Sequence, residues 1–420
     1  MRYLKVTLLC GFAVSLIVAG LYEAGFFHRA DLALWTFLGR ATRPPLKHTF
    51  WQYAVFIPLA FAAAWTTIDI SRKSLKITIT LSALAEVLAA TWVLHLYRVY
   101  FSPLPSAVAV LLSLAGGLLY GRSEAGQRKR TLRLIFGDRV SRKTFYSLVD
   151  LHEPPNFEGE MREITVVVCE VFNHDELMDL LPAEDYVAMT NLFLRSGADF
   201  LVEKGGYLDE CDGESLRVIF GAPLADSKHA RIGCEAALEL AQRLDNLNRE
   251  CDEKWHKTLD FRIGVNSGEA VCATYGSERL GTFSVAGEPV EFARRLCSAN
   301  VIYGSRILIG SRAFELAADE IEVRPMELVR TRDERTREEV YELLATKGVL
   351  PDDELQRRDL FWKGIIYYRE QHWDEALLHF RAALTADGFD APLEFYIRRV
   401  EQLQIGLPQL EWQQQPMTQF

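Results

Sequence analysis

The chain of 420 residues is poor in features that would mark a disulfide or zinc protein. Its 7 cysteines are scattered, odd in number and nowhere spaced C-x-x-C, which suits reduced thiols and implies no metal site of their own. A positive excess is also missing: the formal net charge is -10, and acidic residues gather after about Glu153. That argues against nucleic acid as a partner of the soluble part. Long apolar runs, by contrast, are abundant in the first third and scarce beyond it.

Four such runs, Val6–Tyr22, Phe50–Ile68, Ile77–Tyr97 and Phe101–Tyr120, each approach the ~20 residues that cross a bilayer as a helix. The first lacks a convincing cleavage site and is followed by further spans, so it reads as an anchor rather than a signal peptide. Arg2 and Lys5 precede the first run, Arg72, Lys73 and Lys76 follow the second, and Arg122, Arg128, Lys129, Arg130 and Arg133 follow the fourth. These basic loops predict an inner-membrane protein with both ends in the cytoplasm. Arg29, Arg40, Arg43 and Lys47 in the first external segment weaken that bias without suggesting a better topology. Glu86, in mid-span, is expected to face the bundle interior or be protonated, leaving open a sensing role or a packing contact. Gly117 and Gly121 form a small-xxx-small pair suited to a dimer.

A basic connector over 122–158, with Leu132, Leu134, Ile135 and Val140 on a plausible apolar stripe, leads to the soluble part. It would lie along the membrane or pair with its copy, or serve as a stop-transfer patch; Pro154 and Pro155 end it. From Arg162 the pattern becomes β-α-β-β-α-β: the apolar run REITVVVCEVF, a helix from about Ala183 to Lys204, the strands GYLDEC and ESLRVIFG, a helix from about Asp226 to Asn248, and LDFRIGVNSG. An α+β, ferredoxin-like core with helices over one face of a mainly antiparallel sheet is predicted.

Five blocks in this region, REITVVVCEV, GGYLDECDGESLRVIFGAP, FRIGVNSGEAVCATYGSERL, SVAGEPVEFARRLCSAN and YGSRILIG, resemble the class III adenylate/guanylate cyclase catalytic domain in order and spacing. The resemblance implies a cyclase-like domain over 159–346. It also implies ATP or GTP as ligand, Mg²⁺ or Mn²⁺ as cofactor, and a homodimer or pairing with another cyclase chain. It places Glu170 and Glu214 at the metal positions, where that family has aspartates, and Glu210 and Ser284 at the base-reading positions. Glu291 stands where an asparagine is expected, Arg295 on the transition-state phosphate, and Asn173 in the phosphate turn. With Asp209, Glu210, Asp212 and Glu214 in one hairpin, the pocket is expected to be crowded with acid unless cations fill it. A glutamate at position 210 favours guanine over adenine. Two readings stay open: an active cyclase, with Mn²⁺ the better metal, or a catalytically silent module for dimerisation, nucleotide binding or relay. His174 and His229 are expected at the surface.

After the strand-like VYELL, residues 357–404 resemble one tetratricopeptide helix pair through Trp362, Gly364, Tyr368, Ala376 and Phe380, with Pro392 near the next turn. Because about three repeats are usually needed for stability, the hairpin is expected to pack on the cyclase-like domain or its dimer mate. The end, 405–420, reads as disordered.

Overall fold

The computed structural model describes residues 2–37, 50–70, 73–97, 101–151, 158–276, 281–330, 337–384 and 389–405. The expected tail beyond residue 405 and the Pro154–Pro155 stop lie outside them. The chain divides into two units, Met1–Leu134 with Val149–His152, and Ile135–Leu148 with Glu153–Phe420.

In the first unit, α1 (Arg2–Glu23), α3 (Phe50–Asp69), α4 (Lys73–Leu96) and α5 (Pro103–Arg122) contain the four apolar runs, and a short α2 (His28–Phe37) lies between the first two. The stretches Leu4–Glu23, Phe50–Asp69, Ser74–Leu94 and Pro103–Arg122 are long and apolar enough to cross a membrane. Val14 and Val18 of α1, Phe56 and Ala60 of α3 and Ala109 of α5 form a core shared by those three helices. Small residues and hydroxyls join the helices: Ser113 Oγ donates to the Ala60 carbonyl at 3.1 Å, and Thr67 Oγ1 to the Ser113 carbonyl at 3.0 Å. Gly117 is spent here too, since a Cβ on it would sit 2.7 Å from Thr67 Cβ. Its close approach is therefore within the chain. The outer surfaces carry Phe12, Trp65, Leu81 and Trp92 exposed. Glu86 is exposed on α4 as well, which removes the first of its two expected states, facing the bundle interior, and leaves the protonated one.

The connector is α6 (Glu124–Phe136) and α7 (Arg142–Asp150), separated at Gly137, whose φ of 52° needs no side chain. Leu132 and Val140 are buried, whereas Leu134 is exposed and leaves the predicted stripe.

The second unit is built on a sheet in the order β2-β3-β1-β4-β6-β8-β7, with β5 paired to β4. The strands are β1 (Glu160–Val171), β2 (Tyr207–Cys211), β3 (Ser215–Phe220), β4 (Phe261–Tyr275), β5 (Thr282–Ala286), β6 (Ile307–Gly310), β7 (Ile321–Arg330) and β8 (Arg337–Thr346). The first four pair antiparallel in the ferredoxin-like arrangement. β6 then adds parallel to β4, extending the sheet.

Alternation along the strands decides which face each residue joins. Ile307 and Ile309 enter a core with Val167, Cys169, Phe261 and Ile263, covered by α9 (Ala183–Leu194), α10 (Phe200–Glu203), α11 (His229–Trp255) and α13 (Ser311–Ala317). A short α8 (His174–Leu180) precedes α9, and a π-turn at Arg195–Asp199 joins α9 to α10. His229, expected at the surface, is buried: its Nδ1 lies 2.7 Å from Thr165 Oγ1.

Leu308, pointing the other way, joins α12 (Glu288–Tyr303) and three C-terminal helices, α14 (Asp352–Arg369), α15 (Trp373–Ala383) and α16 (Ala391–Gln404). Helices thus cover both faces rather than one, and the expected hairpin has a third member. The tetratricopeptide-like residues explain its tightness: Gly364 is bare because a Cβ would stand 2.5 Å from the Phe380 ring, and Ala376 and Phe380 are fully buried.

α12 lies directly on β4 at Gly264, where a Cβ would meet the Ala293 carbonyl oxygen at 2.1 Å and Cys297 N at 2.5 Å. Both are backbone atoms, so Gly264→Ala must lift the helix. The variant is expected to lose about 1–3 kcal/mol or more, read as a lower unfolding midpoint; an unchanged midpoint would mean that α12 does not rest there.

Candidate functional site

Burial of Ile164–Cys169 carries β1 through the sheet and delivers Glu170 at its end, opposite Ser215 on β3 and Arg262 on β4. The β2–β3 turn folds back on this end, with Val171 N donating to the Glu214 carbonyl at 2.9 Å. Asp212 makes that turn: its Oδ1 accepts from Glu214 N at 3.0 Å and Ser215 N at 2.6 Å, so this acid serves the backbone. The Glu214 side chain, more than half exposed, reaches His174 Nε2 at 3.2 Å, placing that histidine in the site. Burial pushes the Glu170 carboxyl above its ordinary range; Arg294 opposes this, while Asp212, Glu210 and Glu214 add to it.

The acidic hairpin is not left to outside cations. Arg217 on β3 directs Nη1 to Glu210 Oε2 at 2.6 Å and Nε to Asp209 Oδ2 at 2.7 Å. Arg294 on α12 adds Nη2 to the same Glu210 oxygen at 3.1 Å. Arg139 completes the cluster by donating to the Asp209 carbonyl at 2.9 Å. Glu210, the residue expected to read a base, is therefore clamped by two guanidinium groups of its own chain.

Arg295, one residue on, faces elsewhere. It pairs with Glu288 Oε1 at 3.1 Å and stands over the Phe292 ring at 5.2 Å. Adjacent helical residues point ~100° apart, which is why only one arginine of the pair reaches the hairpin. Glu291 is exposed on α12, with no ion pair among the described residues. Ser284 sits on β5 opposite Ala273 and is half-buried. Its strand is held to β2 by Tyr207 Oη, which donates to the Phe283 carbonyl, and by the Phe136, Tyr207 and Phe283 rings at 5.1–5.8 Å.

Asn173 also does something other than expected. Its Nδ2 donates to the Thr258 carbonyl at 2.9 Å and its Oδ1 accepts from Asp260 N at 2.8 Å, fastening the loop before β4. So one chain brings together Glu170, Glu210 and Glu214 with Arg217, Arg294 and His174, keeps Asn173 and Arg295 on separate tasks, and leaves Glu291 exposed. Sequence reading missed Arg217 and Arg294; the doubled arginine in EFARRL was the available signal for the second.

Among the described residues no cluster of three His, Cys, Asp or Glu side chains forms a ready metal cage. Glu170 and Glu214 are nonetheless hard oxygen donors at one strand end; burial is the main cause that lifts the Glu170 carboxyl, and the smaller push from Asp212, Glu210 and Glu214 is the part a divalent cation would relieve.

A ferredoxin-like antiparallel core carrying acidic side chains at the β1 end and β2–β3 hairpin defines an α+β cyclase fold. Residues 158–343 match the family model described as the adenylate and guanylate cyclase catalytic domain, and this segment is a class III cyclase domain. Adenylate cyclase 1 of Rhizobium meliloti (strain 1021) is 23% identical over 183 residues, 44% of this chain and 28% of its own length. An uncharacterised protein of Mycobacterium tuberculosis (strain ATCC 25618 / H37Rv) is 28% identical over 201 residues, 48% of this chain and 34% of its own length. The chain thus spans about a third or less of these curated relatives. Among solved structures, the guanylyl cyclase Cya2 is 25% identical with a TM-score of 0.42, covering 46% of this chain and 96% of that one.

Proposed function

We propose that this chain is a membrane-anchored class III cyclase homologue of cyclic-nucleotide signal transduction. In this reading α1, α3, α4 and α5 cross a cell inner membrane, with the N-terminus and cyclase domain in the cytoplasm. The domain acts as a homodimer or pairs with another cyclase chain, and serves as a nucleotide-binding and relay module rather than a turnover enzyme. The observation that carries the last point is the clamped Glu210 carboxylate, held by Arg217 and Arg294 at 2.6 and 3.1 Å. Both guanidinium groups hold the same oxygen, Oε2, and fix the carboxylate's orientation, which leaves guanine only Oε1 to donate to. Glutamates at both metal positions and Glu291 in place of an asparagine point the same way, since catalytic geometry tolerates little displacement.

A second reading, a working cyclase that converts a nucleoside triphosphate to a 3′,5′-cyclic nucleotide and pyrophosphate, is favoured by the convergence of Glu170 and Glu214 at the end of β1. There they would hold Mg²⁺ or Mn²⁺, which supplies charge neutralisation of a triphosphate. Glu210 and Ser284 would contact the base and Arg295 the phosphate.

The assay is cyclic AMP and cyclic GMP formation by the full chain in lipid, with ATP or GTP and Mg²⁺ or Mn²⁺, beside an Arg295→Ala control. The expected result is no product above that control, with Mn²⁺-dependent GTP binding retained. Product that disappears in the control would overturn the relay reading and establish the enzyme.

A further inference from the structure

Where α3 and α5 end and α4 begins, these helices and the first turns of α6 enclose a cavity of about 420 Å³. Four cationic side chains line it: Lys76, Arg122, Lys129 and Arg130. Two of them are withdrawn from solvent, Lys76 with 6% and Lys129 with 3% of its surface exposed. Lys129 Nζ pairs with Asp69 Oδ1 at 3.0 Å. Lys76 Nζ donates to the Gly117 carbonyl at 3.3 Å. For Lys76, Arg122 and Arg130 no carboxylate partner is present among the described residues. An ammonium has three donors, and burying it without a counter-charge is costly. The cavity is thus a preformed site with net positive charge and donor capacity to spare.

Ile68, Ile70 and Leu118 share its lining, so the cations sit beside an apolar wall. We propose that this cavity binds a phosphate group, supplied by the headgroup of an anionic phospholipid whose glycerol and acyl portions lie against that wall. The lipid source rests on the reading of α3, α4 and α5 as membrane helices, because their ends then fall at headgroup depth. Lys129 and Arg130 belong to α6, so a bound headgroup bridges that helix to the spans, and the chain continues from α6 toward the cyclase domain.

The test uses the full chain in nanodiscs of phosphatidylcholine alone or mixed with phosphatidylglycerol, read as the unfolding midpoint and as lipid retained in mass spectrometry. Selective retention of phosphatidylglycerol and a higher midpoint in its presence are expected. Each cation removed, by Lys76→Met or Arg130→Gln, is expected to lower that preference about fivefold, from ~1 kcal/mol per basic residue at a membrane surface. In phosphatidylcholine alone, Lys76→Met is expected to be at least as stable as the natural chain, because it removes a buried charge. Equal destabilisation in both lipids would overturn the proposal by making Lys76 merely structural. Stabilisation by inorganic phosphate at matched ionic strength, without lipid preference, would overturn the lipid source; no response to either overturns the site. Carbonate extraction in parallel separates the two premises: an extractable chain defeats the membrane reading, whereas a resistant chain without phosphatidylglycerol preference defeats only this site.

Discussion

Replacing Arg324 with alanine is expected to destabilise the second unit by about 3–5 kcal/mol, the usual result of stranding a buried carboxylate, here Glu342. Arg324 lies on β7, with 8% of its surface exposed, and directs Nε to Glu342 Oε2 on β8 at 2.6 Å. Its two remaining nitrogens form a fork on Asp390 at 2.6 and 2.9 Å, and its guanidinium stands over the Phe361 ring at 4.6 Å. Asp390 in turn caps α16 by accepting from Leu393 N at 3.2 Å. One side chain therefore joins the sheet edge to two C-terminal helices. Arg324→Lys is expected to recover little, since an ammonium cannot reproduce the fork.

The loss should depend on pH in a definite direction. Burial lifts the Glu342 carboxyl above its ordinary value even with Arg324 beside it. A carboxyl whose pKa is raised on folding holds a proton that the unfolded chain releases, so its contribution to stability falls as pH rises through that raised value. Without Arg324 the lift grows. The deficit of Arg324→Ala is expected to be smallest in acid and to widen toward neutrality, as read from unfolding midpoints across that range; a pH-independent deficit would mean that Glu342 is not the stranded group.

Arg217→Ala is the second large effect expected, again about 3–5 kcal/mol, because Asp209 has only 1% of its side chain exposed and Arg217 is the cation that faces it. The other Asp209 oxygen, Oδ1, has no hydrogen-bond partner among the described residues, so none of them stands in reserve. Arg217→Lys should restore part of the stability. The same substitution removes one of the two clamps on Glu210, so GTP binding that strengthens in Arg217→Lys would support the clamp as the block on base reading. A stability unchanged by Arg217→Ala would refute the pairing.

The cyclase fold was legible in the residues because its signals are local. REITVVVCEV is a continuous apolar run, the Asp212–Gly213 turn joins two short strands, and the four apolar stretches match helix lengths that cross a membrane. Each of these depends on periodicity or composition within about twenty residues. The third C-terminal helix was less legible: one helix pair is a recognisable pattern, while the need for α16 to cover Phe361, Tyr368 and Phe380 comes from the packed core.

The sequence by itself determined the core strands and helices, their order, the membrane-length helices and where Glu170, Glu210 and Glu214 fall along the chain. Only the tertiary structure decided what those acids face. Glu210 meets Arg294 across 84 residues, Asn173 meets Thr258 across 85, and Arg324 meets Asp390 across 66. It also set the outward face of Glu86 and gave Arg294 rather than Arg295 to the hairpin. The reason is geometric: a side chain's partner depends on helix rotation and strand register, where one residue of offset turns it ~100° on a helix or to the opposite face of a sheet. No local pattern in the chain carries that angle.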